Sequence, residues 1–74
     1  MAKEDTLEVL KETTKKIADL KNFNVPVILE IIENYINAGV ESYLIEQQKL
    51  QLKKIYATID ELEAKAERLS KILE

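Results

Sequence analysis

From Leu52 to Leu73 an apolar residue stands at every third or fourth position in turn: Leu52, Ile55, Ile59, Leu62, Ala66, Leu69 and Leu73. An α-helix returns to the same face about every 3.6 residues, so this spacing predicts a helix with one unbroken apolar seam. The same register continued upstream puts Ile45 and Gln48 on the seam. That makes about four heptads, a length at which coiled-coil packing is expected. Glu61 with Lys65, and Glu67 with Lys71, add supporting pairs at i to i+4. One long helix is expected over about 41–73.

The rest of the chain points to the same fold class, all-α. One Gly and one Pro in 74 residues leave a sheet-rich fold without the punctuation its turns would need. Leu, Ile and Val number 23, too much apolar surface for a disordered chain. The length fits a single domain, 1–74. There is no Cys and no His, which removes disulfides, thiolate and imidazole metal ligands, and the usual general base. The expectation is a protein that is not an enzyme and carries no cofactor and no metal.

Upstream of the seam, a helix is expected over about 5–21. Asp5 followed by Glu8 resembles a capping box. Leu7, Leu10, Thr14 and Ile17 fall at 3-4-3 spacing, with Ala18 and Leu20 widening the stripe. Asn22-Phe23-Asn24 then reads as a boundary. Asn24 as an N-cap puts Pro26 in the first turn, where its missing donor costs nothing. Phe23 and Ile28 sit at hydrophobic-staple spacing around that cap. A second helix is expected over about 25–38.

That second helix has little polar surface. Glu30, Glu33, Asn34, Asn37 and Glu41 share one stripe about 100° wide, and nearly everything else is apolar. Gly39 followed by Val40 fits a Schellman end, with Val40 reaching back to Tyr35. Wheel phase bears on this point: a straight helix through Gly39 would turn its apolar face by roughly half a revolution between Ile36 and Leu52. A break at Gly39 resolves the mismatch, and so would one long helix packed on opposite sides along its length.

Helix lengths argue for assembly. The third segment would be about 50 Å long at about 1.5 Å per residue, the first two near 25 and 21 Å. Two short helices along it would leave the second segment uncovered on one side or more. The expected architecture is therefore a homo-oligomeric helical bundle, a homodimer first and a tetramer next, in which third segments pair as a coiled coil. Candidate interface residues are Ile28, Ile32, Tyr35, Ile36, Tyr43, Leu52, Ile55, Ile59, Leu62 and Leu69. Tyr35, Tyr43 and Tyr56 are candidate anchors, since Tyr is enriched at interface hot spots.

Charge narrows the partners. The net charge is −3, but residues 24–48 hold Glu30, Glu33, Glu41 and Glu46 and no basic residue. Such a surface repels phosphate, so no nucleic acid is expected. The Glu30, Glu33 and Glu41 stripe reads as a solvated face, because di-metal carboxylate bundles also need His. Lys49, Lys53 and Lys54 read as the wet flank of the coil. The longest apolar stretch, Val25 to Ile36, is too short and too interrupted by Glu for a bilayer span. The start of the chain is charged and has no apolar run of signal-peptide type. No membrane is expected, and the location is expected to be cytoplasmic.

The expected function is protein binding, by a non-catalytic module acting as an adaptor, inhibitor or assembly factor. The alternative is DNA binding. Phe23-Asn24-Val25-Pro26, then a helix, Gly39 and another helix, is similar to the strand-Pro-helix-turn-helix order of ribbon-helix-helix repressors, over Lys21 to about Leu52. That resemblance implies a transcription regulator with a short strand before Pro26 that presents Asn22 and Asn24 to a DNA groove.

Overall fold

The chain reverses direction at Gly39 and packs back on itself as a helical hairpin. The structure, a computed structural model, describes residues 3–74; Met1 and Ala2, the start of the expected domain 1–74, lie outside the described residues. It is 94% helical, with no strand among the described residues. Helix α1 (Lys3–Asp19) leads through a π-helical turn (Leu20–Asn24) into α2 (Val25–Ala38), and α3 (Ser42–Leu73) runs back beside both. The molecule measures 54 × 15 × 14 Å, the length of one arm and the width of two helices.

The expected break at 22–24 is absent. Asp19 (φ −62, ψ −44), Asn24 (φ −66, ψ −45) and Val25 (φ −63, ψ −51) are all right-handed helical, and Asn24 makes no side-chain capping bond. Residues 3–38 form one continuous arm, so the short strand implied by the ribbon-helix-helix resemblance is not formed. Asp5 lies inside α1, which already runs at Lys3, and is no cap either.

Two features explain the π turn. Pro26 cannot donate to the carbonyl four residues back, and its ring crowds that carbonyl. Just before it, the Val25 amide reaches instead to the carbonyl of Leu20, five residues back. The seam spacing demands the same widening. Along the arm the covered positions include Thr13, Ile17, Leu20, Val25, Ile28, Ile32 and Tyr35. Every step is three or four residues except Leu20 to Val25, which is five. A π turn absorbs one extra residue and keeps both ends of the arm facing α3.

The register of α1 also differs from the expected stripe. Thr6 (1% exposed) and Thr13 (4%) are its buried residues, whereas Leu7 is 43% exposed and Thr14 faces water. The Thr13 hydroxyl donates to the Val9 carbonyl at 2.7 Å, so this small polar side chain is buried with its hydrogen bond made. The expected line through Leu7, Leu10, Thr14 and Ile17 is rotated toward one flank of the true seam.

The turn forms as its residues require. Gly39 has φ 68 and ψ 32, a left-handed conformation that costs glycine little. Its amide donates to the Ile36 carbonyl, and the Val40 amide to the Tyr35 carbonyl, both at 3.2 Å. This is the Schellman pattern. Reversal there also settles the wheel phase, since α2 and α3 now turn their apolar faces toward each other.

Candidate interaction surface

The seam from Leu52 to Leu73 is closed by the chain's own first arm. Ile59 and Leu69 are buried, and Ile45, Gln48, Leu52, Ile55, Leu62, Ala66 and Leu73 are half-buried along the same line. Of the ten candidate interface residues, Ile28, Ile32, Tyr35, Leu52, Ile55, Ile59, Leu62 and Leu69 thus lie between the two arms of one chain. Ile36 and Tyr43 are exposed. The structure brings the first eight together and leaves the last two outside.

The arms meet along one line and bury few side chains completely. The buried apolar residues are Val25, Ile59 and Leu69, and none of them lies in the third of the hairpin nearest the turn. Two helices have only one mutual contact line, so each keeps two flanks in water. For α3 the flanks carry mostly Lys, Glu and Gln, as a wet helix should. For α2 they do not.

On a wheel of 100° per residue, α2 faces α3 with Val25, Ile28, Ile32 and Tyr35, and its Glu30, Glu33, Asn34 and Asn37 stripe points directly away. The flanks between are apolar. Leu29 (46% exposed) and Ile36 (57%) lie on one flank, and Val27 (54%) on the other. The acidic groups therefore border the hairpin's outer edge, and its two broad faces near the turn are largely uncharged. Of the three tyrosines, Tyr35 is half-buried, while Tyr43 and Tyr56 stand exposed on α3.

Among the described residues, the charged side chains that pair do so in the open. Lys49 Nζ is 3.4 Å from Glu46 Oε1, Lys71 Nζ is 3.7 Å from Glu67 Oε1, and Lys21 Nζ reaches Glu63 Oε2 at 3.2 Å across the arms. Lys53 and Lys54 are exposed, as are Glu30, Glu33 and Glu41. Among the described residues there is no cavity and no group of carboxylates placed to hold a metal. No helix of the described residues is long and apolar enough to cross a membrane.

Residue composition alone shows that α2 is too apolar. Tyr56 is among the candidate anchors that the sequence offers; Leu29 is not, because it stands in no periodic seam and matters only once the hairpin fixes which flank it occupies. No protein-family model matches this chain, and no curated protein and no solved structure matches it either.

Proposed function

We propose that the protein is a non-catalytic interaction module, an adaptor, inhibitor or assembly factor, that works as a homo-oligomer. One observation carries this reading: α3 covers a single side of α2, and the uncovered flanks hold Val27, Leu29 and Ile36 in water. Apolar area left in water is a standing cost, and association with another apolar surface recovers it at about 25 cal/mol per Å² before the costs of binding. Tyr43 and Tyr56, exposed on the second arm, suit such a surface, because Tyr combines a large apolar body with a hydroxyl that tolerates a wet rim.

The acidic outer edge fits a protein partner better than a nucleic acid. Glu30, Glu33, Glu41 and Glu46 surround the turn with no basic residue among them, and duplex binding depends on neutralising phosphates.

Light scattering across the micromolar range tests the reading. The expected particle is a multiple of the 8.5 kDa chain. A steady 8.5 kDa mass would overturn it, and so would a salt-dependent shift of duplex DNA by micromolar protein.

A further inference from the structure

We infer that the partner of the exposed α2 flank is a second copy of this chain, docked face to face through the side of the hairpin that carries the Lys21–Glu63 bridge, with the two turns at the same end. The inference rests on the self-associating reading above and adds the face and the orientation.

Area argues for a second copy. A folded 8.5 kDa monomer exposes about 4,650 Å² by the scaling of surface with mass. This chain exposes 5661 Å². The excess, about 1,000 Å², is close to the roughly 800 Å² that one partner contributes to a standard stable interface. A dimer of hairpins is a four-helix bundle, and it supplies the second layer that a two-helix ribbon lacks.

The two faces of the ribbon are not equivalent. Leu29 and Ile36 lie about 80° round α2 from the line facing α3, in the same rotational sense as Lys21 on the first arm. On α3, Tyr56 and Glu63 lie about 60–80° from the line facing α2, in the same sense. The bridge between Lys21 and Glu63 fixes these two flanks as one face of the hairpin. Between the bridge and the turn, this face presents Leu29, Ile36 and Tyr56. The opposite face offers Phe23 and Val27 on the first arm, with half-buried Ile31 and Leu44, among Gln47, Gln51 and Lys54. Exposed apolar side chains stand on both arms of the bridge face, Leu29 and Ile36 on the first and Tyr56 on the second, whereas those of the opposite face, Phe23 and Val27, stand on the first arm alone, so a copy on the bridge face covers apolar surface on both arms.

Charge decides the orientation. Lys49 and Glu33 stand at the two rims of this face, eight residues after Glu41 and six residues before Gly39, and so at nearly the same height. Stacking two hairpins with their turns together lays α2 of each copy over α3 of the other and sets Glu33 beside the partner's Lys49. Stacking them with turns opposed about the same height sets each of these groups beside its own counterpart. Opposite charges at the rim favour the first arrangement.

Sedimentation equilibrium on the full chain tests the face. Wild type is expected at twice 8.5 kDa. Leu29→Glu should raise the dimer dissociation constant at least about a hundredfold, because a lone charge enters a dry interface. Leu29 is half-exposed in the hairpin, so helicity by circular dichroism should persist in the variant. Val27→Glu, on the other face, should keep the dimer mass. Lys49→Glu should weaken the dimer about threefold, and adding Glu33→Lys should restore it. A dimeric wild type that Val27→Glu dissociates and Leu29→Glu does not would overturn the face while leaving self-association intact. A double charge swap that fails to restore the dimer would overturn the orientation. A wild-type mass of one chain would sink the inference together with the reading beneath it, and a mass above two chains would overturn the single docking face.

Discussion

Lys21 Nζ and Glu63 Oε2 meet at 3.2 Å although 42 positions separate them in the chain. Lys21 stands in the π turn, so the contact shows α3 passing directly beside the point where local signals would end a helix. Both side chains are about half exposed, and such pairs contribute about 0–1 kcal/mol. Lys21→Ala is expected to shift stability by less than about 0.5 kcal/mol in urea unfolding. Zero-length carbodiimide coupling should nevertheless join Lys21 to Glu63 within one chain, detectable by peptide mapping of the uncoupled-size band. Coupling of Lys21 only to residues near it in sequence would contradict the hairpin.

Neighbouring threonines distinguish the observed register of α1 from the one that apolarity alone suggests. Thr13 is buried against α3, and Thr14 faces water with its hydroxyl 2.8 Å from the Leu10 carbonyl. Thr13→Lys should cost about 2 kcal/mol or more, since it forces a charge between the arms. Thr14→Lys should change stability by less than about 0.5 kcal/mol, measured in the same denaturant titration. The reverse order would restore the Leu7–Thr14 stripe.

Gly39 should be the residue of the turn least tolerant of a side chain, for backbone reasons alone. An added Cβ would meet nothing within 4 Å, but φ is 68. Gly39→Ala is expected to cost about 1–2 kcal/mol, and Gly39→Asn less, because Asn tolerates the left-handed region. Thermal melts of the two variants check the order.

Truncations along the seam should separate its covered and wet sides. Ile59→Ala and Leu69→Ala should each cost about 2–4 kcal/mol, the range for losing a buried aliphatic side chain. Leu62→Ala, half-buried, should cost less but remain above Lys65→Ala, which is exposed and should stay within about 0.5 kcal/mol. Equal, negligible shifts for Leu62→Ala and Lys65→Ala would mean that the seam serves an outside partner and not this hairpin.

How much of this was legible in the sequence depends on whether the deciding interaction is local. The Leu52–Leu73 seam could be read because its period is unbroken and its intervening residues are polar. Gly39-Val40 could be read because a lone Gly before an apolar residue has few other uses. The local sequence at 22–24 points to a helix boundary that the fold does not make, for a physical reason. A step of five between Leu20 and Val25, with Pro26 next, is equally the signature of a new helix and of a π turn inside one helix. Only α3, arriving from 40 residues away, settles it by packing on both sides of the step. The α1 register is not legible from apolar spacing because its buried positions, Thr6 and Thr13, are small and polar, and Thr13 satisfies its hydroxyl within its own helix. The exposed flank of α2 was legible as excess apolarity, but which residues form it depends on the pairing of the arms.

The most direct measurement is an isotope-filtered nuclear Overhauser experiment on mixed labelled and unlabelled chains, which reports only contacts between copies. Cross-peaks between chains are expected at Leu29, Ile36 and Tyr56, with none at Ile59 or Leu69, whose partners belong to the same chain. Cross-peaks between chains at Ile59 and Leu69, with Leu29 and Ile36 silent, would mean that the long seams pair between copies, and would contradict the account.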